Sequence, residues 1–174
     1  PTQTEVMDNE HYFRALHPEL VSLPQHFKAN GYASLRAGKI FHGGIDDTEA
    51  WSEGGETRNF TGARRPPSNP DSAERTAHSD RIVVLDGNGE ENGDYRMATQ
   101  AIDFLERYKD KPFFLALGMA KPHSPPTAPK KFFDLYDAET IPLPVDFSSR
   151  PQAPTGFPEI SIARRNTDLF INRE

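Results

Sequence analysis

A three-layer α/β fold with a mostly parallel sheet is predicted by three features of this 174-residue sequence. One stretch has strong helical periodicity, tight glycine turns join helix to strand, and the run Phe113 to Leu117 is continuously apolar rather than alternating. A continuous apolar run suits a parallel strand covered on both faces, whereas a half-exposed strand alternates. Helices alternating with such strands define a layered α/β architecture. The length allows one domain with a real core.

The elements follow in order. Ser22-Leu23-Pro24-Gln25 forms a capping box, with Gln25 at the third helical position and Pro24 tolerated in the first turn. Asn30-Gly31 stops that helix, and a short strand is expected from Tyr32 to Ala37. From 46 to 79 no period of either kind persists, and Gly, Pro and Ser punctuate the chain, so a loop-rich surface excursion is expected. "RIVVL" is a short strand candidate, and Asp86 to Gly93 a turn-rich link. Met97, Ala101, Phe104, Leu105 and Tyr108 recur at three- and four-residue steps, which predicts a helix over Asp94 to Lys109. Pro129 to Tyr136 suggests a short helix opened by proline, 142 to 158 a proline-spaced linker, and the last fifteen residues lean helical. A sheet built from so few strands is either small or only part of one.

Composition narrows the function. With 20 basic and 26 acidic residues the formal charge is −6, which gives no basic face for nucleic acid. There is no apolar run of 18 residues, hence no membrane-spanning helix, and the first residues lack the pattern of a signal peptide. No cysteine is present, so disulfides, thiolate metal sites and a cysteine nucleophile are excluded within these residues. "DGNGEENGDYRM" has the outline of a calcium loop, but Glu91 and Met97 stand where glycine and glutamate are required, and it reads as a turn. Asn59-Phe60-Thr61 fits a glycosylation sequon, a pattern too common to carry weight. No metal ligand is assigned.

Chemistry concentrates in two loops. "GKIFHGG", 38 to 44, sets Lys39 and His42 just past the carboxyl end of a strand, the edge where open α/β sheets bind ligands. Its glycines let the backbone approach a bound group, the lysine could hold an oxyanion, and the histidine could exchange a proton near neutral pH. On spacing alone, a strand end capped by polar residues is the simpler account. "KPHSPP" then repeats the arrangement: Lys121 and His123 follow the buried strand 113–117 onto the same edge. Two strands each delivering a lysine and a histidine to one rim suit an anionic tetrahedral group such as sulfate or phosphate.

"LPQHFKANGYASLRAGKIFHGG" and "KPFFLALGMAKPHSPPTAPKKFFDLYD" closely resemble the type I sulfatases, in particular the iduronate-2-sulfatase-like branch. The resemblance implies a partial alkaline-phosphatase-like fold and a protein that hydrolyses sulfate esters, with a sulfated carbohydrate as the expected substrate. It implies a formylglycine made within a C/S-x-P-x-R motif beside a divalent cation, usually Ca2+. It assigns Lys39 to a sulfate oxygen and His42 to the formylglycine hydroxyl. It gives His123 to the sulfate and the departing group, with Lys121 beside it at the substrate. No C/S-x-P-x-R motif occurs among these residues. The resemblance puts that motif and the metal-site aspartates upstream of Pro1, and the motif that completes the metal site beyond Glu174. The expectation is an internal fragment that is inactive alone, binds no catalytic metal and self-associates through open sheet edges. A periplasmic or secreted location is implied by the resemblance only. Two alternatives stay open: a phosphodiesterase or phosphonate hydrolase of the same superfamily, and a non-catalytic binding module.

Overall fold

The computed structural model describes residues 4–58, 60, 62–64, 82–123, 125–137, 139–145 and 154–158. The sequon residues Asn59 and Thr61, half of the expected excursion, the centre of the proline-spaced linker and the final helical-leaning stretch lie outside them. The described elements are α1 (Phe13–Leu16), α2 (Leu23–Ala29), β1 (Ala33–Gly38), a 3-10 turn (Thr48–Ala50), β2 (Val83–Leu85), α3 (Gly93–Tyr108), β3 (Phe113–Gly118), β4 (Thr127–Pro129) and α4 (Lys130–Phe133).

The capping box forms as the sequence predicts. The Ser22 hydroxyl accepts from the Gln25 amide, and the Gln25 side chain accepts from the Ser22 amide. Gly31, at φ +83°, ends α2 in the left-handed region that glycine enters at no steric cost. The chain then enters β1 within two residues.

β1 and β3 pair in parallel, from Ala33 opposite Phe113 to Gly38 opposite Gly118. On one face Leu35 and Ala37 are fully buried against Ala101 and Phe104 of α3, with Ala33, Tyr108, Phe113 and Leu115 packed around them. Burying a leucine side chain contributes about 2 kcal/mol. Leu105, expected in the apolar stripe of α3, is instead 45% exposed, because the buried stripe runs through positions 101, 104 and 108. On the opposite face Phe27 of α2 stacks on Phe114 at 4.6 Å between ring centroids, and Trp51 stacks on the same ring at 6.4 Å. Helix, sheet, and helix with loop make the three layers.

β1 is interior because it has neighbours on both edges. Beyond β3, the segment at Ser52 and Glu53 pairs with it: the Ser52 amide donates to Ser34 O at 2.6 Å and the Arg36 amide to Glu53 O at 3.1 Å. β3 pairs only with β1 among the described residues, and it is half-buried, with Leu117 43% exposed. The expectation of a strand covered on both faces is met by β1 rather than by β3. A second small sheet joins β2 and β4 in parallel, Val83 opposite Thr127. β4 was not predicted; it is three residues long and runs through Pro129 into α4.

The expected surface excursion needs correction at its start. Asp46, Asp47, Ala50 and Trp51 are all buried, at 1%, 0%, 1% and 4% exposure. This stretch is loop-built yet interior, because its charges are paired and its tryptophan fills the space beside α2 and β3.

Candidate functional site

Gly38 and Gly118 stand opposite each other at the carboxyl ends of β1 and β3, so the two Lys/His loops leave the sheet level with one another. The Lys39 amide extends the ladder by donating to Gly118 O at 2.8 Å. A methyl group on Gly38 would overlap Gly118 O and the Met97 sulfur, and one on Gly118 would overlap Lys39 O. Glycine is required at both positions because the two backbones touch where the loops begin.

The first loop places Lys39 exposed and His42 half-buried. His42 forms part of the wall of a cleft of about 360 Å3, whose other walls are mainly apolar: Phe13, Leu20, Ile40, Phe41 and Ile45. Phe13 and Phe41 stack nearly parallel there, 6.4 Å between centroids. A turn follows His42, with the Ile45 amide donating to its carbonyl at 3.2 Å and Gly44 at φ +82°.

Two ion pairs close this loop, one part-buried and one fully buried. Arg14 grips Asp47 through Nε and through Nη2, the latter at 2.7 Å from Oδ2, and the Ser22 hydroxyl donates to the same oxygen at 2.6 Å. Arg14 also donates to Gln25 Oε1 at 2.6 Å and to Leu20 O at 3.1 Å. The hydrogen bond to Asp47 raises the Arg14 pKa further above its ordinary value, against the smaller opposing effect of burial. Asp46 accepts from the Trp51 indole at 3.0 Å and from the Glu56 amide at 2.6 Å, with Arg36 Nε 3.6 Å from its carboxylate. Arg36 additionally reaches Gly54 O at 3.1 Å and Glu56 at 3.0 Å.

The second loop, between β3 and β4, is held by Asp94 in the first turn of α3. The Asp94 carboxylate accepts the amides of Ala120 and Lys121 at 2.8 and 2.9 Å. The Asn92 cap accepts the Asp94 amide at 2.9 Å. A carboxylate at that position is also favoured by the positive end of the helix. Lys121 is half-buried and turns its ammonium onto its own loop, donating to His123 O at 3.0 Å and Pro125 O at 2.8 Å. His123 is exposed, its amide donating to Ala120 O at 3.1 Å.

All four predicted residues therefore sit on loops from one edge of the sheet. Three exposures differ in kind: Lys39 and His123 face solvent, His42 borders the apolar cleft, and the Lys121 ammonium braces the loop. Sequence reasoning missed Arg14, Arg36, Asp46, Asp47 and Asp94, which hold the two loops in place. Asp46-Asp47 is a pair of adjacent buried carboxylates, the chemistry of a metal site, but each faces an arginine instead. Among the described residues no group of three or more His, Asp or Glu side chains is placed to hold a metal ion, and the arginines that face Asp46 and Asp47 do not fit a divalent cation there.

A protein-family model described as sulfatase matches residues 1–147. Iduronate 2-sulfatase of Homo sapiens is 34% identical across 92% of this chain, and the Mus musculus protein of the same name is 32% identical across 92%. A protein named sulfatase from Formosa agariphila is 34% identical across 72%. The chain spans about 30% of the length of the two mammalian relatives and 26% of the bacterial one.

Proposed function

Since this chain belongs to the sulfatase family, with the partial alkaline-phosphatase-like α/β fold that membership entails, we propose that the protein carrying it hydrolyses sulfate esters of a carbohydrate. The observation that supports this reading is the level ending of β1 and β3 at Gly38 and Gly118, which sends both Lys/His loops off one edge.

Hydrolysis breaks the bond between sulfur and the ester oxygen, adds water to sulfur and returns a proton to the departing alcohol. On this reading Lys39 neutralises one sulfate oxygen, worth most where water is excluded. His123, exposed at the rim, delivers a proton to the ester oxygen as it leaves. His42, beside the apolar cleft, takes up and returns a proton during release of sulfate. Lys121 contributes charge near the substrate while its hydrogen bonds keep His123 in place. The formylglycine nucleophile and the divalent cation come, on this proposal, from residues outside these 174, which contain neither a C/S-x-P-x-R motif nor, where described, a cation site.

The test uses the full-length protein and an aryl sulfate. We expect turnover that drops by about 100-fold or more in His123→Ala and in His42→Ala, while the isolated 174-residue chain shows none. Cleavage of an aryl phosphodiester with no cleavage of the sulfate would move the protein to phosphoester chemistry, and turnover of neither would favour a binding module.

A further inference from the structure

The loop carrying Lys39 and His42 is closed at its base in an unusual way. It leaves β1 at Gly38 and ends at Asp46 and Asp47, 1% and 0% exposed. Asp46 returns to Arg36, two residues before the loop begins and itself 3% exposed, while Asp47 reaches Arg14 and the Ser22 hydroxyl at the start of α2. The loop thus has a fixed origin in the β1–β3 ladder and a fixed end at two adjacent buried aspartates: Asp47 in a two-nitrogen pair with part-buried Arg14, and Asp46 hydrogen-bonded to Trp51 and Glu56 with buried Arg36 3.6 Å away.

Stability alone is a poor reason for that arrangement. Burying a charge pair costs about as much desolvation as the attraction returns, and apolar side chains of similar volume often serve as well or better. What a buried, bidentate pair supplies is a single geometry, since any displacement leaves a charge unpaired in the interior. We propose that Asp46 and Asp47 are positioning residues, which act through Arg36 and Arg14 to fix where His42 stands at the rim. The inference rests on the reading of His42 as a residue of the sulfate site.

The experiment compares full-length wild type with Asp47→Asn and Asp46→Asn, which keep the side-chain shape and remove the charge. Arg14→Lys is the second variant should these fail to fold, since it keeps the charge and loses the two-nitrogen grip. We expect kcat on an aryl sulfate to fall 10- to 100-fold with KM within about twofold, because a small misplacement of a reacting group costs about that much. Amide hydrogen exchange should rise across residues 39–45 and stay unchanged across 33–37 and 113–117. Unchanged exchange in the loop overturns the proposal, as does a loosened loop with full kcat, or exchange that rises equally through β1 and β3. Wild-type protein that turns over no sulfate ester defeats the functional reading instead, and the exchange comparison then decides the clamp by itself.

Discussion

The loop after β1 and the loop after β3 begin at facing glycines and carry the same pair of residue types, yet different forces hold them. The first is closed by Arg14–Asp47 and Arg36–Asp46, charges largely removed from water and drawn from three separate stretches of chain. The second is held by two backbone amides on Asp94, by Lys121 bonded to carbonyls two and four residues on, and by the β2–β4 pairing beyond it. A buried ion pair is nearly all-or-none, since removing one partner strands the other. Hydrogen bonds with access to water degrade gradually, because solvent takes over the lost contacts. The histidine bordering the apolar cleft therefore rides on the more rigid support, and the solvent-facing histidine on the more adjustable one.

Three single substitutions and one double variant would break or sharpen that contrast. Arg14→Met leaves Asp47 buried without its cation and should cost about 3 to 5 kcal/mol in the full-length protein, read by denaturant unfolding. Its double variant with Asp47→Leu should recover most of that loss, which a simple packing defect would not. Asp94→Ala removes two charge-assisted bonds from a half-buried site and should cost about 2 kcal/mol, with little effect on the first loop. Lys121→Met should cost about 1 kcal/mol or less by the same measurement and raise amide exchange at residue 121 and at His123. A loss at Lys121 as large as that at Arg14 would erase the distinction between the two loops.

Much of the scaffold was legible because its signals are local. The Ser22/Gln25 box, the stop at Asn30-Gly31 and the periodicity of α3 each lie within a few residues, and each element formed within a residue or two of its expected bounds. The shared edge was legible too, because parallel strands necessarily deliver their carboxyl ends to the same side. The interior position of Asp46 and Asp47 was not. Two adjacent aspartates in a glycine- and serine-rich stretch look like solvated loop, and only Arg14 and Arg36, 33 and 10 positions away, make their burial tolerable. Trp51 was the available clue, since a tryptophan in a polar stretch needs somewhere to be buried. The inward turn of the Lys121 ammonium depends on loop geometry that residue types do not specify. Leu105 shows the limit of periodicity, which locates an apolar face but not how wide a strip of it the sheet covers.

The contact between Gly38 and Gly118 carries a consequence for how such proteins can diverge. Because each backbone fills the space a side chain would need at the other, the two positions are tied to one another and closed to drift. Apart from the two Lys/His pairs and the anchors at Asp46 and Asp47, the residues beyond them can change without disturbing where either loop starts. The rim can thus be refitted to new substrates from a common point of departure, with the cost of experiment confined to residues downstream of the two glycines.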